Sequence, residues 1–284
     1  MVSVISSPWT TTFEGFLQRC RNSTVICSPY IGYKPCRRLA KIFGESLRSD
    51  LTLFLLTNLS CENMLSRATD VRGLIYLCEA IPNTDIRFLP NLHAKIYVSD
   101  EQAIVTSANL TQGGFVRNLE YGLCISDPMI VDRIRTDAQA FHTIGTSVDL
   151  AQLRLFESIV DELSDLQQKD EKAAVKSALR LKFEEKLREA DEEVFRIRAT
   201  SMSAHAGFAQ TILFVLSTKG PCDTKRIYRE IQSIHPDLCD DSVKLVIHGK
   251  EWSQAKWKHR VRHAQQFLSR QRKIVRVDEL WQLS

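Results

Sequence analysis

His93-Ala-Lys95, followed by Asp100 and then by Thr106-Ser107-Ala-Asn109, gathers an imidazole, an ammonium, a hydroxyl and a carboxamide in one short stretch. Phosphodiester hydrolysis needs a nucleophile, a proton source for the leaving oxygen and positive charge around the non-bridging oxygens. Histidine can supply the first two, since near neutrality one ring can be basic and another protonated. Lysine and amide donors can supply the third. In Leu92-His-Ala-Lys-Ile-Tyr-Val-Ser-Asp100 the polar residues alternate with apolar ones. On a strand this would aim His93 and Lys95 to one side and Ala94, Ile96 and Val98 to the other. Ser107 and Asn109 would share a side if the strand that begins at Ala103 continues through them.

The elements that must position these groups read as alternating strands and helices over the first 145 residues. Strands are expected at Thr24–Ser28, Leu51–Leu56, Asp85–Leu89, Ala94–Val98, Ala103–Thr106 and Glu120–Ile125. Helices are expected at Lys34–Arg48, at Asn63–Ile81 in two pieces around Arg72-Gly73, and at Met129–Phe141. This order predicts an α/β layered domain. From Leu150 to Arg198 the chain is rich in Glu, Lys, Asp and Arg, with apolar residues at helical spacing. Two helices joined by a solvated bend at Gln167–Lys172 are expected there, serving either as a charged spacer or as a dimerising arm.

The motif resembles the phospholipase D superfamily signature, H-x-K-x(4)-D followed by [GST]-S-x-N, here His93, Lys95, Asp100, Ser107 and Asn109. Thr106 stands where glycine is common, and the gap from Asp100 to Ser107 is about a residue short. Asn118-Leu-Glu120-Tyr-Gly122 resembles the family's acidic follow-on, whose carboxylate contacts a catalytic histidine. Ile26-Cys-Ser-Pro-Tyr-Ile31 resembles the first strand and turn of nuclease-type members. The resemblance spans residues 10–145 and implies a mixed sheet flanked by helices. It also implies a metal-independent phosphohistidine mechanism that needs two motif copies per site. His248-Gly-Lys250 matches H-x-K, but Glu251-Trp-Ser-Gln-Ala-Lys shows no β pattern and no Ser-x-Asn follows, so it is read as a chance match. One copy remains, and a twofold homodimer would complete the site. Asp100 is expected to hold a turn more than to act directly. Glu120 is expected to orient His93, Tyr97 to be packing, and His142, His205 and His235 to have no role.

The chain of 284 residues has a formal net charge of +4, unevenly spread. From His205 onward there are 14 Lys and Arg against eight Asp and Glu, giving +6 there and −2 in the remainder. Between Lys250 and Arg276 nine basic residues face one acid, Glu251. Such a concentration points to a polyanion. Lys250, Lys256, Lys258, Arg260, Arg262, Arg270, Arg272 and Lys273 are the candidate phosphate contacts. Lys34, Arg37 and Arg38 fit either a nucleic-acid backbone or a solvated helix face. Helices are expected at Phe208–Leu216, after a cap at Asp223, and from a cap at Ser253 to Arg270. The last carries Trp257, Val261, Ala264 and Leu268 on one face. A hairpin around Asp278-Glu279 would complete a winged helix-turn-helix, with Trp252, Trp257 and Trp281 as core and wing packing.

Three parts are therefore expected: a phospholipase D-like catalytic domain over 1–147, a charged helical linker over 148–203 and a winged-helix DNA-binding domain over 204–284. The function expected is a metal-independent DNA endonuclease of the kind found in bacterial restriction and phage defence. Its partners are DNA or another nucleic acid and a second copy of the chain. Three alternatives stand beside it: a lipid phosphodiesterase, an inert DNA-binding scaffold, and a nuclease subunit that works only with a helicase or ATPase. The chain has no P-loop of its own. No cofactor and no metal are expected, since the eight cysteines form no Cys-x-x-Cys pair. Scattered thiols, no basic apolar leader and no long apolar run predict a cytoplasmic protein without a membrane span.

Overall fold

Two strands with unbroken apolar runs, residues 25–27 in β2 (Ser23–Cys27) and 53–56 in β3 (Thr52–Thr57), lie side by side in parallel near the middle of the N-terminal sheet. Such runs suit strands covered on both faces. The computed structural model describes residues 1–45, 51–172, 177–201, 206–247 and 249–284. They divide into two compact units, Met1–Phe88 with Leu92–Val194, and Phe195–Ser284 with Leu89–Asn91. The helical stretch 148–203, expected as a separate linker, is shared between them.

In the first unit β3 also pairs in parallel with β4 (Thr84–Phe88), which meets the short β8 (Thr146–Ser147). On its other side β2 runs antiparallel to β5 (Ile96–Val98), followed by β6 (Ala103–Thr106), β7 (Tyr121–Ile125) and the edge strand β1 (Val2–Ser6). The result is an eight-stranded mixed sheet in the order β1-β7-β6-β5-β2-β3-β4-β8. Helices α1 (Thr10–Gln18), α2 (Tyr33–Glu45), α3 (Cys61–Leu65), α4 (Val71–Ala80) and α5 (Pro128–Ile144) flank it. The end expected for α2, at Arg48, lies outside the described residues. The mixed α/β sheet flanked by helices is the architecture that the motif implied.

Caps open both α3 and α4, and the second sets the break between them. Ser60 Oγ accepts from the Asn63 amide at 3.4 Å, and the Asp70 carboxylate accepts from the Arg72 amide at 3.1 Å. Each satisfies a donor that a helix start leaves open. The break therefore falls at 66–70, not at the expected Arg72-Gly73. Gly73 lies inside α4, where a β-carbon would sit 3.0 Å from Tyr33 Cα and 3.1 Å from Cys36 Sγ. Its missing side chain lets α4 press against α2.

Helices α6 (Leu150–Lys172) and α7 (Ser177–Ser201) follow. The polar stretch expected as a bend, Gln167–Lys172, is the last part of α6. Among the described residues no helix is long and apolar enough to cross a membrane.

In the second unit, helices α8 (Ala206–Lys219) and α9 (Thr224–Ile234) precede a hairpin of β9 (Lys244–Ile247) and β10 (Lys250–Ala255). Helix α10 (Lys256–Arg270) and a second hairpin, β11 (Ile274–Val277) and β12 (Leu280–Leu283), complete it. Ile212, Ile227, Ile231, Trp257, Val261, Leu268 and Ile274 form the core. Asp223 caps α9, as expected, by accepting from the Arg226 amide at 2.6 Å. Ser253 does not cap α10, because it lies within β10 and the helix starts after Ala255. The β9–β10 hairpin was not expected, and its strand over Lys250–Ala255 overturns the reading that no β pattern follows His248-Gly-Lys250. His248 and His205 lie outside the described residues.

His235, for which no role was expected, sits in a buried polar knot. Arg198 Nη2 donates to His235 Nδ1 at 3.2 Å and to Asp237 at 3.0 Å. With Nδ1 accepting, the ring proton sits on Nε2, 2.9 Å from Thr211 Oγ1. Burial and the nearby Arg198 guanidinium push the imidazole pKa down to about 3.

Candidate active site

The H-x-K motif begins outside the sheet. Residues 92–95 belong to no strand and β5 starts only at Ile96, although the Lys95 carbonyl still accepts from the Thr106 amide at 3.2 Å. His93 and Lys95 therefore do not take their direction from strand alternation, as the sequence predicted. A local hydrogen bond sets it instead: Lys95 Nζ donates to the His93 carbonyl at 2.7 Å. The same ammonium lies 3.4 Å from each nitrogen of the His93 ring. His93 is exposed and Lys95 half-buried. Partial burial lowers the Lys95 pKa below its ordinary value, against the pull of the Glu120 carboxylate, which favours the charged form.

Strand β6 ends at Thr106 and delivers the second half of the motif. The Ser107 amide donates to the Tyr121 carbonyl at 3.0 Å, and the Tyr121 amide donates to Ser107 Oγ at 3.1 Å. Ser107 Oγ in turn donates to the Glu120 carboxylate. Asn118 Nδ2 holds the other carboxylate oxygen at 3.1 Å. The hydrogen bonds of Glu120 thus go to Ser107 and Asn118, and among the described residues none joins it to His93. This corrects the expectation that it orients the histidine directly.

The Asn109 side chain reaches into the fold, and its Oδ1 is buried without a hydrogen-bond partner. An unsatisfied buried polar atom is costly. The backbone around Asn109 is held from several sides. Tyr97, fully buried, donates its hydroxyl to the Ala108 carbonyl at 2.9 Å. The Leu110 amide donates to Ser28 Oγ at 2.9 Å, tying this loop to the Ser-Pro-Tyr turn after β2. Trp9 Nε1 donates to the Gly114 carbonyl at 3.0 Å, and the Trp9, Phe13, Tyr97 and Phe115 rings pack together beneath.

Two glycines that the sequence reading did not single out are required here. A β-carbon on Gly114 would stand 2.4 Å from the Asn109 carbonyl oxygen. One on Gly122 would stand 2.6 Å from Thr106 Cβ. Gly122 pairs directly with Thr106 across the ladder. It leaves the room for a threonine where the family commonly has glycine. The run Asn109-Leu-x-x-Gly-Gly114 after the motif was the available signal for Gly114.

Asp100 lies at the opposite end of β5 from His93. Its carboxylate accepts from the Arg21 amide at 2.5 Å, the Asn22 amide at 3.0 Å and Asn22 Nδ2 at 3.1 Å. Partial burial raises its pKa, but these donors outweigh that and hold it below the usual carboxylate value. It fastens the turn before β2 and belongs to the scaffold. Arg37 lies 5.8 Å from the ring centroids of both Tyr33 and Tyr76, and Arg38 pairs with Glu14 at 3.2 Å. Both are engaged on the helix surface. Among the described residues no three His, Cys, Asp or Glu side chains cluster as metal ligands.

Residues 14–141 match the family model described as cardiolipin synthase, PLD-like domain. This stretch is similar to a phospholipase D-like domain. Solved structures similar to the chain include a phospholipase D family member, Nuc from Salmonella typhimurium. That likeness has a TM-score of 0.44 at 14% identity over 52% of this chain and 97% of that one. NucT from Helicobacter pylori gives a TM-score of 0.40 at 16% identity over 49% and 93%. Phosphatidylserine synthase from Haemophilus influenzae Rd KW20 gives 0.48 at 16% identity over 60% and 45%. No curated protein sequence is close enough to the chain to count as a relative. The matched stretch holds the motif's His93, Lys95, Ser107 and Asn109.

In the second unit the candidate phosphate contacts divide by element. Lys250 is on β10, and Lys256, Lys258, Arg260, Arg262 and Arg270 are on α10, with Arg272 and Lys273 just after it. Lys258 pairs with Asp241 at 2.8 Å, and Arg262 donates to Gln254. Lys256, Arg260, Arg270, Arg272 and Lys273 make no ion pair among the described residues. Trp257 is core, as expected, and Trp281 is partly buried against it. Trp252 is half exposed, which overturns its expected role in packing.

Proposed function

We propose that the chain is a metal-independent DNA endonuclease that cuts phosphodiesters through a phosphohistidine and works as a homodimer. One observation carries this reading: an exposed His93 stands beside Lys95, and the chemistry uses two imidazoles where the domain offers one. The other described histidine of the first unit, His142, is buried, with Nε2 3.1 Å from the Asp85 carbonyl oxygen. The second ring then comes from His93 of the partner subunit.

Neutral His93 attacks phosphorus, forming a P–N bond as the P–O bond to the leaving oxygen breaks. His93 of the partner subunit, protonated, gives its proton to that oxygen. Water then attacks phosphorus, the now neutral partner ring takes its proton, and the P–N bond breaks. Lys95 and the Asn109 carboxamide offset the charge that builds on the non-bridging oxygens.

An apolar strip beside the site supports the twofold assembly. Val4, Leu123 and Val105 are successive cross-strand neighbours on β1, β7 and β6, and each is exposed. Tyr121, also exposed, lies on the same face as Leu123 and directly follows Glu120. A second copy is the occupant that both buries this strip and completes the half-site.

The second unit suits a winged-helix reader, with a helix, a bridge from Cys222 to Trp281 of β12, two further helices and a terminal hairpin. The unpaired cations on and after α10 suit phosphate contact. A cutter joined to a separate reader fits restriction or antiviral defence.

The test is purified protein with plasmid and oligonucleotide substrates in excess EDTA, with a parallel phosphatidylcholine assay and mass measurement in solution. Cleavage of DNA by a species of two chains, lost in His93→Ala, is the expected result. A His93→Ala protein that cuts normally ends the assignment.

A further inference from the structure

The β9–β10 hairpin is inserted between α9 and α10, where a tight turn would be enough to join two helices. Its root is fastened. The Lys256 amide donates to the Val243 carbonyl at 2.8 Å. Asp241 accepts from Trp257 Nε1 at 2.9 Å and pairs with Lys258 at 2.8 Å. Leu245 and Ala255 are buried. The remainder projects. Trp252 is 50% exposed, and Lys250, two residues away on the same face, holds its ammonium 5.6 Å from the Trp252 ring centroid.

A two-stranded ribbon has little stability of its own, and an indole left half in water adds little more. A flat aromatic face beside a cation, on a fixed ribbon next to a basic helix, is the arrangement that grips an unpaired base and its phosphate. The other hairpin lacks this character. Its turn residues, Asp278 and Glu279, are acidic and sit at φ of 45° and 66°, and Arg276 is spent on Glu279. A phosphate backbone would be repelled there.

We propose that the β9–β10 hairpin is a base-stacking element, so that the unit's partner is a nucleic acid with a single-stranded segment. Trp252 stacks on an unpaired base, Lys250 meets the adjoining phosphate, and Lys256 and Arg260 of α10 hold the strand beyond. This rests on the nuclease reading and adds the substrate class to it.

The experiment uses full-length protein carrying His93→Ala, in EDTA, with labelled single-stranded DNA, blunt duplex and duplex with a single-stranded overhang. Binding is read by fluorescence anisotropy. Trp252→Ala is expected to weaken binding of the single strand and the overhang about tenfold, as loss of one stacked base does. Its effect on blunt duplex should stay within about twofold, and Trp252→Phe should keep most of the affinity. Equal losses on all three substrates, or no loss, overturn the proposal, as does a parent protein that binds none of them. A change in self-association without loss of DNA affinity also overturns it and makes Trp252 a protein contact. Cleavage assays with the native His93 keep the two readings apart. If Trp252→Ala still cuts with unaltered substrate preference, only the stacking falls. If no nucleic acid is cut while the Trp252-dependent binding preference holds, only the nuclease falls.

Discussion

Ser107 gives its single hydroxyl proton to Glu120 and accepts the Tyr121 amide. A serine so committed has no proton left for a phosphate oxygen, so it acts on the reaction by fixing the carboxylate near Lys95. Ser107→Ala is expected to lower turnover about 10- to 100-fold, the scale of one hydrogen bond to a charged group. Single-turnover kinetics check this. A loss as large as that of His93→Ala would mean that the serine meets the substrate itself.

The pair Lys95 and Glu120 makes a prediction about pH. The proposed reaction uses the Lys95 ammonium, and partial burial lowers its pKa. Turnover should therefore fall on the alkaline side earlier than an ordinary lysine would dictate. Glu120→Gln removes the support for the charge and should move that fall to lower pH. Lys95→Arg keeps its charge and should move it upward, whatever it does to the maximum rate. A pH–rate series on the three proteins decides the matter.

Gly114 carries the backbone of Asn109. Gly114→Ala must push the Asn109 carbonyl aside, since 2.4 Å is far inside contact distance. The expected cost is about 1–3 kcal/mol in stability. Displacement of the carboxamide by about an ångström should also reduce turnover about 100-fold. Thermal melting and cleavage rate should fall together.

Leu123→Arg places a charge in the middle of the exposed apolar strip. The protein should sediment as a single chain at concentrations where the parent is a pair, and its cleavage should drop at least 100-fold. Dimeric, active Leu123→Arg protein would remove β1, β6 and β7 as the assembly face.

His235 makes the second unit acid-sensitive. Its folded pKa of about 3 lies below the ordinary value of 6.5. Below pH 6.5 the unfolded chain binds a proton that the folded ring refuses, so stability falls as pH drops from about 6.5 towards about 3. The slope is about 1.4 kcal/mol per pH unit at most. His235→Gln should be less stable at pH 7 but show a flatter dependence across this window in urea titrations.

Much of this was legible because patterns of period two and turn residues are local signals. The strand Ala103–Thr106 falls where it was expected, and the turn at Asp278-Glu279 does too. The misses have physical causes. Gly73 was taken for a helix break, yet it sits inside α4 because α2 lies against it, and only the tertiary contact shows that. His93 and Lys95 alternate like strand residues but precede the strand, since the ammonium bonds the His93 carbonyl instead of leaving it for a ladder. The family's acidic follow-on pointed Glu120 at histidine, whereas the ladder register hands it to Ser107. The β9–β10 hairpin hid because Glu251, Ser253 and Gln254 are poor strand formers. Neither α1 nor β1 was foreseen: the entry to α1 at Trp9 has no side-chain cap, and β1 is an edge whose alternation is blurred by exposed valines.

The pairing of Ser6 with Tyr121 spans well over a hundred residues. Ser7 extends the clasp by donating its amide to the Glu120 carbonyl at 3.2 Å and accepting the Glu120 amide on its hydroxyl at 3.1 Å. During synthesis the first strand must wait for β7 to leave the ribosome, and contacts closed over such separations form slowly. The carboxylate that steadies the motif is thus seated late, and a nascent chain carries an unfinished site until its sheet is shut.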